Sequence, residues 1–139
     1  IDMPIITAQE INNIAFTEPI DLALITNDII IAAEAKYLSP VITKTIYDDL
    51  SVHPDNYTYF ITEYIKPYLA YCVKYLLYTQ YFTESLIGLE NIGQRGNIVN
   101  EITAITQLKK TLLINHSATG IYPLYITPVR KRINGFLIK

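Results

Sequence analysis

An all-α fold, a small helical bundle of four to five helices with an extended C-terminal arm, is what this 139-residue sequence predicts. Three observations lead there. Tyrosines repeat every seven residues from Tyr57 to Tyr78; apolar residues recur at helical spacing in most other segments; and helix-start signals stand where those segments begin. Residues 1–126 read as one helical domain and 127–139 as the arm.

Thr7 and Glu10 form a capping box, so a short helix is expected to about Phe16, where Glu18-Pro19 breaks it. A second helix is expected over Leu22 to Leu38. Ile25, Ile29, Ala32, Ala33 and Lys36 mark one face of it, with Asn27-Asp28 and Glu34 on the other. Ser39-Pro40 reads as an N-cap with proline at N1, opening a helix to about Leu50 whose apolar face is Ile42, Ile46, Tyr47 and Leu50. His53-Pro54-Asp55 lies in a loop.

The long tyrosine stretch follows, with Pro67 as a kink or an internal boundary. At helical spacing Tyr64, Tyr68, Tyr71, Tyr75 and Tyr78 fall in a stripe roughly 80° wide. Ile61, Ile65, Leu69, Cys72 and Leu76 form a second, aliphatic stripe, leaving Lys66 and Lys74 on a narrow solvated strip. A helix apolar on two faces needs cover on two sides. Tyrosine tolerates a wet rim, so the tyrosine stripe is a candidate subunit contact; a central helix wrapped by its own chain is the other reading. Residues 84–97, with Gly88, Gly93 and Gly96, read as a loop. A further helix runs from Ile98 to His116 through Ile102, Ile105, Leu108 and Leu112, and ends at Thr119-Gly120. The tail from Ile121, with two prolines and Gly135, reads as extended or irregular.

Composition narrows the function classes. Half the residues are hydrophobic and 17% are charged, which excludes disorder over most of the chain. A net charge of −2 gives no general electrostatic case for nucleic acid or an anionic membrane. The single Cys72 excludes an internal disulfide and reads as a small buried hydrophobe. The opening residues, Ile1 to Thr7, lack the basic start of a signal peptide, and no apolar run reaches the roughly 18 to 20 residues of a membrane span. A soluble protein of a reducing compartment is the expectation.

The sequence predicts no catalytic residues, no cofactor and no metal site. HExxH, CxxC, GxSxG and Walker patterns do not occur. His53 and His116 read as structural or solvated, Asp48-Asp49 as a solvated pair, and Glu34 with Lys36 and Glu63 with Lys66 as ordinary helix-surface charges. Gly93-Gln94-Arg95-Gly96 matches the GxxG loop of KH nucleic-acid-binding domains, an alternative that the acidic balance and the long preceding helix oppose. Arg130-Lys131-Arg132 reads as a solvated tail, or as a contact to an acidic partner or passing DNA.

Several segments, in order, resemble the head–tail connector (adaptor) proteins of tailed bacteriophages. They are Ile30-Ile31-Ala32-Ala33-Glu34-Ala35-Lys36-Tyr37-Leu38-Ser39-Pro40 leading into Ile46-Tyr47-Asp48-Asp49-Leu50; Ile65-Lys66-Pro67-Tyr68-Leu69-Ala70-Tyr71; the Gly93-to-Gly96 segment; and Ile121-Tyr122-Pro123-Leu124-Tyr125. The resemblance spans about residues 20 to 126. The long arm and a rather short helix after the glycines depart from the pattern. It implies a non-catalytic virion protein of the phage neck, assembled in the host cytoplasm. Such a protein forms a homo-oligomeric ring, commonly of twelve copies, between the portal protein and the tail or a further adaptor, around a channel for DNA and with no membrane. Gly93, Arg95, Gly96, Tyr122, Tyr125, Arg130, Lys131 and Arg132 are then candidate partner contacts. A small scaffold dimer paired through the tyrosine helix is a further alternative.

Overall fold

A computed structural model describes residues 5–16, 20–81, 92–122, 124, 131–133 and 136–138; for 80, 81, 92–96, 131–133 and 136–138 only the backbone is described. The helices are α1 (Ala8–Ala15), α2 (Asn27–Ala33), α3 (Ser39–Val52), α4 (Thr58–Phe60), α5 (Lys66–Leu76) and α6 (Ile92–Ser117). They make four columns, because α2 runs into α3 and α4 into α5 through single wide turns at Glu34–Leu38 and Ile61–Ile65. The protein is a small all-α bundle. The described part of the arm is a hairpin of β1 (Lys131–Ile133) and β2 (Phe136–Ile138), antiparallel, with Ile133 opposite Phe136.

Local chemistry explains most boundaries. In the capping box, the Glu10 N–H donates to Thr7 Oγ1 and the Thr7 N–H donates to Glu10 Oε1, each at 3.1 Å. The second helix starts later than the sequence predicts. Leu22–Leu24 is a tight 3₁₀ turn capped by Asp21, and Thr26 then caps α2 by accepting from the Ile29 N–H. Ser39 is not a cap: α3 continues from the preceding turn with Pro40 in its first turn. Pro67 marks an internal boundary, since the wide turn before it spares the carbonyl that a proline cannot bond. Within α3, Thr43 sits at φ 71°, ψ 154°, with its hydroxyl buried and unpartnered among the described residues. That conformation costs a β-branched residue on the order of 1–3 kcal/mol.

Two larger expectations are corrected. Gly93 and Gly96 lie inside the first turns of α6, not in a loop, so the segment has helical backbone and not the loop that a GxxG motif uses to approach phosphates. For the same reason the helix at the glycines is long, at 26 residues.

The core gathers around α5. Its Tyr68, Leu69, Ala70, Cys72, Val73 and Leu76 are buried, against Ile11 and Ala15 of α1, Ile30 and Ala33 of α2, and Leu113 of α6. Burying each large aliphatic side chain contributes about 1.5–3 kcal/mol. Lys66 and Lys74 are not on a solvated strip. Lys66 pairs with Glu10 at the start of α1, while Lys74 Nζ donates to the Ala15 carbonyl at its end, 2.7 Å away, and lies 5.0 Å from the Phe16 ring centre. Tyr71 Oη adds a bond to the Ile14 carbonyl at 3.4 Å. The cations of α5 thus satisfy both ends of α1: an acid in its first turn and orphan carbonyls at its last. Burial holds the Lys74 ammonium below its usual range.

Glu34 departs furthest from its expected place. Read as outward-facing, it is 1% exposed. Its Oε2 accepts from the Ile5 N–H at 2.7 Å and its Oε1 from the Tyr47 hydroxyl at 2.8 Å. Glu34 stands four residues after the buried Ile30, one turn further along the same side of the helix, and that is the side the bundle covers. One carboxylate therefore joins the N-terminal segment, the end of α2 and the middle of α3. Burial pushes its pKa above the ordinary 4.5, against the pull of its two hydrogen bonds.

Glu34→Leu orphans the Ile5 N–H and the Tyr47 hydroxyl, and should cost about 1–3 kcal/mol for each, read from urea unfolding midpoints. Because the folded chain holds a proton at Glu34 more tightly than the unfolded one, this residue's share of stability is complete below pH 4.5 and is lost as pH rises through the higher folded value. The stability gap between wild type and Glu34→Gln should accordingly shrink as pH rises; a gap that widens contradicts the assignment.

Candidate functional site

The tyrosine stripe folds against its own chain. Tyr68 is buried, its hydroxyl donating to the Tyr37 carbonyl at 3.0 Å. Tyr64 stacks on His116 of α6, with ring centres 4.1 Å apart and planes 7° from parallel. Tyr71 reaches α1, Tyr75 meets Tyr37 edge-on at 6.4 Å, and Tyr78 stacks on Phe16. Placing these five residues at a subunit seam is thus corrected for Tyr68. The other four, half-buried, already have partners within the chain. Helix packing from two directions supplies the cover: α1 takes the side with Tyr71, Lys74 and Tyr78, and α6 takes the side with Tyr68, Cys72 and Tyr75.

Two features lie along α6. The first is an aromatic cluster around His116, whose Nε2 sits 2.8 Å from the Tyr122 hydroxyl. Phe60 packs 4.6 Å from the Tyr122 ring centre and Tyr57 stacks on the same ring at 5.7 Å. This cluster ties the chain beyond α6 back to α4. Tyr122, a candidate partner contact, is thereby half-buried within the fold. Tyr57 extends the network, its hydroxyl donating to Asp49 Oδ2 at 2.6 Å, with His53 Nδ1 3.0 Å from the same carboxylate. Asp48 is exposed and pairs with Lys44, but Asp49 is a structural acceptor and not half of a solvated pair. The Tyr57 and His53 bonds hold its pKa below the usual range.

The second feature is a cleft of about 250 Å³ between α5 and α6. Tyr37 and Tyr75 form one wall, Cys72 and Tyr68 are also part of its lining, and Gln107 and Lys110 come from α6. Burial pushes the Cys72 thiol up to about 12, so it is protonated at neutral pH and not a nucleophile.

Sequence reasoning misplaced the buried face of α6. Ile102 is buried as expected, but Leu108 and Leu112 are 58% and 45% exposed, and Leu113 and Ser117 take the inner positions. The apolar row was visible in the sequence; which of two adjacent stripes faced inward was not. Tyr125 and Arg130 lie outside the described residues. Gly93, Arg95 and Gly96 are placed by backbone in α6, and Lys131 and Arg132 in β1. Among the described residues no cluster of histidine, cysteine and acidic side chains could hold a metal ion, and no helix is long and apolar enough to cross a membrane.

Comparison with known proteins adds no likeness: no family model, curated protein or solved structure matches the chain.

Tyr68→Ala should lower stability by about 3–5 kcal/mol in the isolated chain, as for other large aromatic truncations in cores. Burial also holds the His116 pKa below its ordinary 6.5. Its share of stability is complete above pH 6.5 and is lost as pH falls through the lower folded value. His116→Phe should abolish that acid-side loss in pH-dependent melting; an unchanged slope contradicts it.

Proposed function

We propose that this chain is a non-catalytic structural subunit that assembles with copies of itself into a closed ring, of the kind that joins portal to tail in tailed phages. The resemblance supplies the phage neck as its setting, with the portal protein and a tail or adaptor protein as neighbours. The observation that carries the self-assembly reading is a pair of exposed apolar patches on different sides of α5.

The first patch is on α6. Leu108 and Leu112 stand one turn apart on a face that the bundle does not cover, and the same line continues to His116, over which the exposed Tyr59 ring lies. Ile121 and Leu124, just past the helix, are exposed too. The second patch is on the α1–α2 side, where Ile14, Leu22 and Ile31 are exposed. Two different patches suit a head-to-tail contact, in which one copy's α6 meets the next copy's α1–α2 surface. Repeated around an axis, such contacts close into a ring. Tyr59 at the edge of the first patch has the ring area and polar tip that interfaces favour.

Light scattering after size exclusion tests this reading. The wild type should run as a large closed species. Leu108→Asp/Leu112→Asp and Ile14→Asp/Ile31→Asp should each run as folded monomers. Mixing the two variants should restore one intact contact and give dimers, which a symmetric interface would not. A wild type that stays monomeric, or a ring that survives both variants, sinks the reading.

A further inference from the structure

We propose that the cleft between α5 and α6 is a binding site for a small planar aromatic carboxylate. This goes beyond ring assembly and stands on different residues.

Size comes first. About 250 Å³ lies below the roughly 300–1,000 Å³ typical of drug-sized ligands, so a single substituted ring is the natural occupant. The apolar wall fits a ring as well. Tyr37 and Tyr75 meet at 89° with centres 6.4 Å apart, so the wall offers a ring face beside a ring edge, the two arrangements by which aromatic rings attract.

The opposite wall selects charge. Thr103 and Thr106 donate their hydroxyl protons to the Val99 and Ile102 carbonyls of their own helix. They leave donation into the cleft to the Gln107 carboxamide and the Lys110 ammonium. Lys110 makes no ion pair among the described residues, and no carboxylate lines the cleft. A ring bearing an anion thus meets an aromatic wall at one end and an unpaired cation at the other. Cys72, protonated and buried, offers no covalent chemistry, so the site binds without reacting.

The test titrates the full chain with benzoate and, separately, with neutral benzamide, following amide shifts by heteronuclear NMR. Benzoate should saturate and shift amides of residues 103–110 and of 72 and 75. Lys110→Met keeps the aliphatic stem and removes the charge. It should weaken benzoate about tenfold, the worth of one charge-assisted hydrogen bond, and leave benzamide unchanged. Thr106→Phe, which fills the cleft, should abolish both. Circular dichroism and melting of each variant report that the fold persists. Benzoate shifts that map elsewhere, that are insensitive to Lys110→Met, or that are absent at tens of millimolar overturn the assignment.

Discussion

The α5 helix leaves little surface that can be given to water, and the rest of the bundle follows from covering it. Its buried residues are spread around most of the cylinder. One partner helix cannot enclose a cylinder, so α1, α2 and α6 each take a sector. The remaining polar atoms of α5 cannot stay in water once α1 lies over them. They are therefore placed where α1 needs them: Lys66 at its acidic first turn, Lys74 and Tyr71 at the carbonyls of its last. Eight residues of α1 would be a marginal helix alone. The capping box at one end and a lysine of another helix at the other make it part of the fold.

Glu34 serves a different part of the bundle. A carboxylate taken from water is costly unless its oxygens are paired, and both of its oxygens find donors from separate segments. The arrangement locates the chain before α1 and the middle of α3 relative to the turn between α2 and α3, with directional bonds that aliphatic packing alone does not supply. His116 does the corresponding work at the other end. Held flat against Tyr64 and bonded to Tyr122, it returns the chain beyond α6 to α4. Each is a polar group inside an apolar surrounding, and each makes stability depend on pH, with opposite sign.

Once the core is complete, the surface that remains has two kinds of unfinished business. The exposed leucines of α6 and the isoleucines of the α1–α2 side are apolar area that a monomer leaves wet. The cleft beside Tyr37 is concave, aromatic and cationic. The first suits a repeated protein contact, because it is apolar and spread over two faces. The second suits a small ligand, because its volume and polarity are local. The apolar patches lie off the tyrosine stripe, whereas the cleft takes Tyr68 and Tyr75 of that stripe into its lining.

The sequence by itself determined that the chain is helical, where α1 begins, that Pro67 divides the long tyrosine stretch, and that Cys72 is buried. These follow from short-range chemistry: capping hydrogen bonds, a missing proline N–H, the period of apolar residues. The hairpin was equally legible in principle, since Asn134-Gly135 between apolar runs is a strong two-residue turn signal, though the tail reads at first sight as irregular. Only the tertiary structure decided which stripe faces inward. Glu34 points into the core because it stands one turn after Ile30, on the side of α2 that the bundle covers, and packing alone chose that side. Lys66 and Lys74 look solvated along their own helix and are clamps only because α1 lies across them. Leu108 and Leu112 look like core, yet α6 is rotated so that Leu113 and Ser117 face inward. In each case periodicity gives the faces of an element, and the neighbour that arrives from elsewhere in the chain chooses among them.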